Sequence, residues 1–263
     1  MNPFPVINRV KQCRDGMMIY NVNDIYIGRS LDLYGEWSKG DMDLFRQILR
    51  PGMTGVEIGA NIGAHTVTLA QAVWPGGSVL AIEPQRIVFQ TLCANLALNN
   101  IINVDARQLA VGAAPGTILV PQLDFAKENN FGGLGLGTHQ LGEPVSVITL
   151  DSLNLARCDF VKIDVEGMEK AVLEGAVDTL ARCQPVLYVE NDRSEKSTEL
   201  IRTIDALGYN MYWHLASLYS PDNYLGNKEN VFANIASMNM FCMPKGNRNY
   251  NLEGFERVAV PPA

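Results

Sequence analysis

The segment 52–83 constrains the fold of this chain more than any other stretch. A short apolar strand ends at Ile58, and a tight turn of sequence Gly-Ala-Asn-Ile-Gly follows at 59–63. Residues 65–73 have the apolar content of a helix packed on a sheet, and residues 78–82 form the next strand. This order of strand, glycine turn, helix and strand is half of a nucleotide-binding α/β fold. Such folds bind their ligand at the carboxyl ends of the strands.

The residues of the turn select the ligand. A dinucleotide-binding loop has the pattern G-x-G-x-x-G, but Asn61 stands where the middle glycine is needed, and the Gly-Lys-Ser/Thr of a P-loop is absent. A glycine turn without phosphate-binding residues favours S-adenosylmethionine, a nucleoside without a phosphate. Glu83 at the next strand tip is expected to accept hydrogen bonds from the ribose, and Glu57 to hold the ammonium group. The alternative is a plain Rossmann-like turn with both glutamates as surface charges.

Composition excludes several classes of protein. The chain has 263 residues, with 21 basic and 28 acidic side chains and a net charge of −7. It has no run of Lys or Arg, so we expect no nucleic-acid partner. Its five cysteines lack C-x-x-C pairing, which is typical of free thiols in a reducing cytoplasm. No segment resembles a membrane span or a signal peptide, so we expect a cytoplasmic protein.

Strands and helices alternate along the chain, which predicts one α/β domain with a largely parallel sheet. We expect an N-terminal part (1–50) with a β-hairpin over residues 17–28 and a helix packed on the core. The α/β domain itself is expected at 51–245, and a loose tail at 246–263. A glycine-rich loop at 129–137 is either a mobile cover or an irregular surface insertion, and the second interpretation is favoured because such loops need no function.

Polar residues accumulate where buried strands end: Glu57, Glu83, Asp164, Glu190 and Asn191. Methyl transfer is an in-line displacement that needs alignment of donor and acceptor and often a base. The candidate bases and acceptor-site residues are Asp164, Glu166, Glu190 and His214. The oxygens of Asp164, Glu190 and Asn191 also suit Mg²⁺, although these side chains are equally consistent with hydrogen bonding in the fold.

Three further side chains have weaker signals. Lys162 lies inside a strand and is expected to be structural, with its amine reaching a carboxylate. His65 on the first helix of the α/β domain is expected to be a packing residue near the ligand. His139, beside the glycine-rich loop, has no assignable role.

Several motifs together resemble the FkbM family of S-adenosylmethionine-dependent methyltransferases. The most specific is VKIDVEGME at 161–169. The others are YGEW at 34–37, VEIGANIG at 56–63, IEP at 82–84, TLDSL at 149–153, VLEGA at 172–176, the strand at 185–191 and Asn239-Met240. The resemblance covers residues 17–244, most of the chain. One departure is Glu57, where the family more often has Asp.

The resemblance implies a class I methyltransferase fold (Rossmann-like), with a seven-stranded, mostly parallel sheet flanked by helices and its last strand antiparallel. It implies an O-methyltransferase whose acceptor is a small molecule or carbohydrate: a hydroxyl of a sugar, polysaccharide or natural product. Some relatives use Mg²⁺. Carried over, Asp164 and Glu166 lie in the acceptor region, and the donor is bound by Tyr34, Glu36, Glu57, Gly59, Asn61, Gly63 and Glu83.

Three alternatives stay open on the residues alone. One is an N-methyltransferase acting on a small molecule or protein. Another is a nicotinamide-dependent oxidoreductase, which Asn61 in the turn disfavours. The third is a nucleoside-binding module that has lost its chemistry, which the carboxylates at the strand tips disfavour.

Overall fold

The computed structural model describes residues 4–137, 139–247, 250 and 252–262. Within them the strands are β1 (Asn8–Cys13), β2 (Gly16–Asn21), β3 (Thr54–Ile58), β4 (Ser78–Ile82), β5 (Val104–Arg107), β6 (Ala110–Val111), β7 (Gly116–Val120), β8 (Glu143–Ile148), β9 (Phe160–Ile163), β10 (Val186–Glu190), β11 (Tyr209–Ser217) and β12 (Ala236–Pro244). The helices are α1 (Ile27–Tyr34), α2 (Lys39–Ile48), α3 (Ala64–Val73), α4 (Arg86–Leu98), α5 (Glu169–Glu174), α6 (Val177–Cys183) and α7 (Ser194–Ala206).

A seven-stranded sheet organises the molecule, in the order β11-β12-β10-β9-β3-β4-β5. The strands from β10 to β5 run parallel, and β12 is antiparallel to both β10 and β11. This is the seven-stranded, mostly parallel sheet of a class I methyltransferase, and the predicted fold is confirmed. The carboxyl ends of β3, β4, β9 and β10 therefore meet along one edge.

Helices cover both faces of the sheet because its central strands are apolar on both sides. Helices α2 and α3 pack on one face, where Phe45 and Leu69 join Phe160 of β9 in the core. Helix α7 packs on the other face, where Ile201 and Ile204 join a second core. Between β5 and β9 the chain forms a small sheet of order β6-β8-β7, followed by a short 3₁₀ turn at Asp151–Leu153.

The N-terminal hairpin lies earlier than the sequence predicts. Strands β1 and β2 pair antiparallel across residues 14–15, whereas the prediction placed the hairpin at 17–28. The residues predicted as the second strand of that hairpin lead instead into helix α1, which begins at Ile27. Ile27, Leu31 and Tyr34 recur at helical spacing and are all buried on one face of that helix, and this burial overrides the short alternation in the sequence.

The sequence predicts a loose tail at 246–263. The residues of this tail that the structure describes are instead packed on the sheet. The aromatic ring of Phe255 lies against Phe241 and His214. The backbone N–H of Trp213 donates to the carbonyl of Glu256 at 2.8 Å, and that of Val258 donates to Met211 at 2.9 Å. The tail thus pairs with the outer side of β11, the edge strand of the sheet. Among the described residues, no helix has the length and apolarity needed to cross a membrane.

Candidate active site

A cavity of about 550 Å³ opens at the carboxyl edge of the sheet. Its wall combines the β3–α3 turn, the tips of β4, β9 and β10, the glycine-rich loop and the beginning of β12. It therefore lies where a doubly wound α/β sheet binds its ligand.

The glycine turn fits closely against the end of β9. Gly59 has φ +85°, and a Cβ atom there would lie 1.7 Å from the carbonyl oxygen of Asp164. Gly63 has φ +84°, and its Cβ would lie 2.6 Å from Leu92. Gly59 and Asn61 line the cavity, whereas Gly63 is required for packing at the start of α3. Of these three residues predicted to bind the donor, two thus face the cavity.

Glu83 is held by the backbone of the turn. Its Oε2 accepts a hydrogen bond from the N–H of Asn61, and its Oε1 accepts one from the N–H of Gln85, both at 2.9 Å. The side chain is 4% exposed and lines the cavity. Burial raises the pKa of Glu83 to about 7, although the two backbone donors oppose that rise.

Glu57 lies behind the cavity wall. It is fully buried, and its Oε2 accepts a hydrogen bond from Thr66 Oγ1 at 2.6 Å. Its Oε1 has no hydrogen-bond partner in the described part of the chain, and the nearest cation is the Lys162 ammonium at 3.8 Å. Burial raises the pKa of Glu57 to about 7 against the lowering effect of Lys162.

Asp164, Glu166 and Glu190 form an acidic cluster in which one carboxylate oxygen of each lies within 4.8 Å of the others. Lys162 donates to Asp164 at 2.9 Å, and Arg193 donates to Glu166. Burial and the charge of Asp164 raise the pKa of Glu166 to about 7 and that of Glu190 well above its ordinary value. The structure thus brings together the three residues predicted to be catalytic, and sequence reasoning missed Arg193.

Asn191, predicted as a third metal ligand, does not belong to this cluster. Successive side chains of a strand point to opposite faces, so Asn191 turns away from Glu190. Its Nδ2 contacts the sulfur of Met240 at 3.4 Å, and it does not line the cavity. Glu166 takes its place beside Asp164 and Glu190.

Tyr34 and Glu36, predicted to close over the donor, do not line the cavity either. The Tyr34 hydroxyl donates to the carbonyl of Glu229 and accepts from the N–H of Val231, both at 2.9 Å. Glu36 accepts from Arg14 Nε at 2.6 Å and from the N–H of Tyr224 at 3.0 Å. Both side chains are buried, and their hydrogen bonds hold the loop after β11.

The glycine-rich loop is part of the site, contrary to the favoured prediction of a surface insertion. Gly132 and Gly133 line the cavity, and Leu134 and Leu136 line an apolar slot beside Glu83. Leu109, Ala110 and Val111, which follow β5, also line that slot. The Gln85 side chain fastens the loop by donating to the carbonyl of Phe131 at 2.8 Å.

Of the two histidines with a predicted role, the one predicted as a candidate base lies outside the cavity, and the one predicted as a packing residue lines it. His214, a candidate base, does not line the cavity, and its Nδ1 lies 2.7 Å from the Tyr188 hydroxyl. His65, expected to be a packing residue, lines the cavity together with Trp37 and Tyr26. Sequence reasoning gave no site role to Tyr26, or to Trp37 although it lies in the YGEW motif.

This combination of features defines the class of protein. A seven-stranded sheet with antiparallel β12, a glycine turn and a buried carboxylate at the next strand tip is the nucleoside-binding arrangement of class I methyltransferases. The profile of the family described as "Methyltransferase FkbM domain" matches residues 57–211, which is more than half of the chain. The chain therefore belongs to the FkbM family and carries an S-adenosylmethionine-dependent methyltransferase domain.

Two curated proteins and one solved structure are similar to this chain. The chain is 29% identical over 146 residues to "Methyltransferase 1" of Beauveria bassiana (47% of this chain, 58% of the relative). It is 28% identical over 153 residues to "Methyltransferase sdnD" of Sordaria araneosa (46% and 59%). The aligned regions thus span less than two thirds of these relatives. A crystal structure of methyltransferase FkbM from Methylobacillus flagellatus KT is 20% identical, with a TM-score of 0.47 (76% of this chain, 50% of that one).

Proposed function

We propose that this protein transfers the methyl group of S-adenosylmethionine to a hydroxyl of a sugar, polysaccharide or natural product. The observation that carries the donor assignment is Glu83, a buried carboxylate that two backbone amides hold between the cavity and an apolar slot. A ribose diol is a ligand for such a carboxylate, and an adenine ring is a ligand for the slot. The choice of a hydroxyl acceptor rests on the resemblance to the FkbM family.

The donor's amino-acid end would lie over the glycine turn. In that position its ammonium would approach Glu57, directly or through water. The free Oε1 of Glu57 supports this role, because a buried carboxylate oxygen without a hydrogen bond is costly until a donor reaches it. With the ribose at Glu83 and the ammonium near Glu57, the sulfonium would face the interior of the cavity.

The acidic cluster would orient the acceptor. Lys162 fixes the carboxylate of Asp164, and Arg193 fixes that of Glu166, so both are held as hydrogen-bond acceptors for a substrate hydroxyl. Glu190, with its Oε2 shielded and without a hydrogen-bond partner among the described residues, would receive a further donor from the acceptor. Alignment of the hydroxyl oxygen with the methyl–sulfur bond is what an in-line displacement requires.

A divalent cation fits the acidic cluster less well than an acceptor hydroxyl does. Carboxylate oxygens are suitable ligands for Mg²⁺, but two of the three carboxylates already hold a cation of the chain, Lys162 or Arg193. We therefore expect protein treated with a chelator to keep its turnover. Loss of turnover with EDTA and its recovery with added Mg²⁺ would instead assign the cluster as the predicted metal site.

Calorimetric titration with S-adenosylhomocysteine, with NAD as a parallel control, tests the donor. Binding of the first compound alone supports the proposal, and binding of NAD alone contradicts it. Transfer of a labelled methyl group is then measured with a panel of methyl glucoside, rhamnose and 4-nitrophenol as hydroxyl acceptors and glucosamine as an amine. Methylation on nitrogen alone would favour an N-methyltransferase, and donor binding without transfer to the panel would favour an inactive nucleoside-binding module.

A further inference from the structure

The buried carboxylate of Asp41 lies next to His65, which is the one histidine of the described residues that lines the cavity. His65 follows the first residue of α3, is 7% exposed, and shares the cavity wall with Glu83 and Asp164. Its Nε2 lies 3.6 Å from Oδ2 of Asp41, slightly beyond hydrogen-bond distance, and is shielded from solvent without another partner in the described chain. Catalytic hydrogen bonds in ligand-free structures are often long and shorten when substrate binds.

Asp41 is fixed from several sides. It lies in the first turn of α2 and is 2% exposed. Ser38 Oγ donates to its Oδ2 at 2.7 Å, the Tyr188 hydroxyl donates to its Oδ1, and His214 Nδ1 lies 3.4 Å from Oδ1. Burial alone would raise the pKa of Asp41, but these partners and the nearby His65 hold it below its ordinary value, so the carboxylate is ionised.

The surroundings of His65 keep its ring neutral. The charged groups that act on it are Asp41 from α2 and Lys162 and Asp164 from the tip of β9, and the ring of Phe45 packs against it at 5.4 Å. Burial and the charge of Lys162 lower the pKa of His65 to about 4, although Asp41 and Asp164 oppose this. At neutral pH the imidazole therefore has an unprotonated nitrogen.

We propose that His65 accepts the proton of the acceptor hydroxyl and that Asp41 is its positioning residue. The inference rests on the proposed methyl transfer. The hydroxyl oxygen forms a bond to the methyl carbon while the carbon–sulfur bond breaks and leaves its electron pair on sulfur, which becomes a neutral thioether. The hydroxyl proton passes to His65, and the resulting imidazolium lies beside the ionised Asp41. A histidine oriented and stabilised by a buried carboxylate is the arrangement of general-base histidines in acyl transfer.

The acidic cluster is the competing base. Asp164 and Glu166 are each bound to a cation, Lys162 or Arg193, which orients their carboxylates. The pKa of Glu166 is nevertheless raised to about 7 and that of Glu190 well above its ordinary value, so turnover has to separate these carboxylates from His65. His65 differs in its position, because its Nε2 lies 3.6 Å from the carboxylate of Asp41, although the charge of Lys162 also acts on the ring. The pairing of His65 with a buried carboxylate supports His65 as the base, and the carboxylates held by Lys162 and Arg193 would orient the acceptor.

Nitrogen NMR of the ¹⁵N-labelled protein tests the arrangement without an acceptor. The chain has three histidines, so His65→Gln identifies the signal of His65. With S-adenosylhomocysteine bound at pH 7, we expect a neutral ring with its hydrogen on Nε2, toward Asp41, and a bare Nδ1. We expect this tautomer preference to weaken in Asp41→Asn. A ring that is protonated at pH 7, or that carries its hydrogen on Nδ1, would overturn the proposal.

Turnover with the methylated member of the acceptor panel separates the two bases. We expect His65→Gln to lower kcat by about 100-fold or more, as general-base removal does, with unchanged affinity for S-adenosylhomocysteine. Gln71→Ala, an exposed residue of the same helix, is the matched control and should leave kcat unchanged. Near-normal kcat in His65→Gln, or a loss confined to donor affinity, would show that His65 is not the base.

The failure of this proposal differs from the failure of the proposed function. If the wild-type protein binds donor but methylates no member of the panel, the hydroxyl transfer fails, whatever the tautomer of His65. If the wild type methylates a hydroxyl and His65→Gln does so equally well, only the assignment of His65 fails. In that case a rate that rises with pH near 7, where Glu166 titrates, and that loses this dependence in Glu166→Gln would assign the base to Glu166.

Discussion

The two halves of the cavity are built by different means. On the side of β3 and β4, Glu83 is held by backbone amides, and Gly59 lies so close to the end of β9 that a Cβ atom would overlap the carbonyl of Asp164. On the side of β9 and β10, the carboxylates of Asp164 and Glu166 are held by the side chains of Lys162 and Arg193. The first half is a property of the backbone, and the second is a property of side chains.

The difference matches what each half is proposed to bind. A donor common to a whole family can be bound by a rigid turn whose geometry does not change. An acceptor that differs between proteins is better bound by side chains, which substitution can alter without disturbing the fold. The comparison predicts that substitutions on the first side will affect stability and donor affinity, whereas those on the second will affect turnover.

The largest effect is expected from Gly59→Ala. Gly52 has the same φ of +85° but no atom within 4 Å of its would-be Cβ, whereas that of Gly59 meets the carbonyl of Asp164. Gly52→Ala should cost about 1–2 kcal/mol for the left-handed backbone alone. Gly59→Ala should cost about 1–3 kcal/mol more, as overpacking does. Urea unfolding of both variants measures the difference, and equal losses would mean that the turn has room to adjust.

Asp164→Asn tests the second half. The variant keeps the shape but loses the charge that pairs with Lys162, so the acceptor should be misaligned and turnover should fall about 100-fold. Affinity for S-adenosylhomocysteine should stay the same in a calorimetric titration. Asp178→Asn, at an exposed position of α6, serves as the control. A parallel loss of donor affinity would show that the two halves are not separable.

Glu83→Ala should weaken donor binding without abolishing the fold. Loss of a charge-assisted hydrogen bond to the ribose costs about 1.5–3 kcal/mol, or about 10- to 150-fold in Kd. Glu143→Ala removes a partly buried glutamate paired with Arg86, away from the cavity, and should leave Kd unchanged. Equal affinities of the Glu83 variant and the wild type would remove the basis of the donor assignment.

The smallest effect is a pH dependence of the donor half. Burial raises the pKa of Glu57 and that of Glu83 from 4.5 to about 7. S-adenosylmethionine is a cation that donates hydrogen bonds, so it binds more tightly when the carboxylates of Glu57 and Glu83 are ionised. Its affinity should therefore fall by up to about tenfold per carboxylate between pH 8 and pH 6. Titration in buffers of different ionisation enthalpy should show proton release at pH 7, and absence of proton release would contradict the shifted values.

The same pKa values fix the sign of an effect on stability. Both glutamates bind protons more tightly in the folded than in the unfolded chain, so stability without ligand should decrease as pH rises from about 4.5 through 7. In Glu83→Gln the part of this decrease that Glu83 contributes should disappear from the unfolding curves. A decrease of the same size in the variant would assign the effect to other groups.

The backbone half of the site could be predicted from sequence because it is local. The turn at 59–63, the strands on either side and Glu83 follow one another within a few tens of residues, so pattern and spacing were sufficient. Arg193, Tyr26 and the loop that carries Leu134 could not be assigned to the site in this way. Tyr26 and the loop reach the cavity only through the packing of the chain, and Arg193, three residues after Glu190, belongs to no motif that marks it. Asn191 was predicted beside Glu190 but does not line the cavity, because successive side chains at the end of β10 point to opposite faces.

The C-terminal residues have a consequence for self-association. Strand β11 forms one edge of the large sheet, and an uncovered edge strand offers unpaired N–H and C=O groups to any other extended chain. The backbone bonds from Glu256 to Trp213 and from Val258 to Met211 occupy part of that edge. A chain cut after residue 245 should therefore keep its cavity and lose its solubility, because the exposed edges of two molecules could then pair with each other.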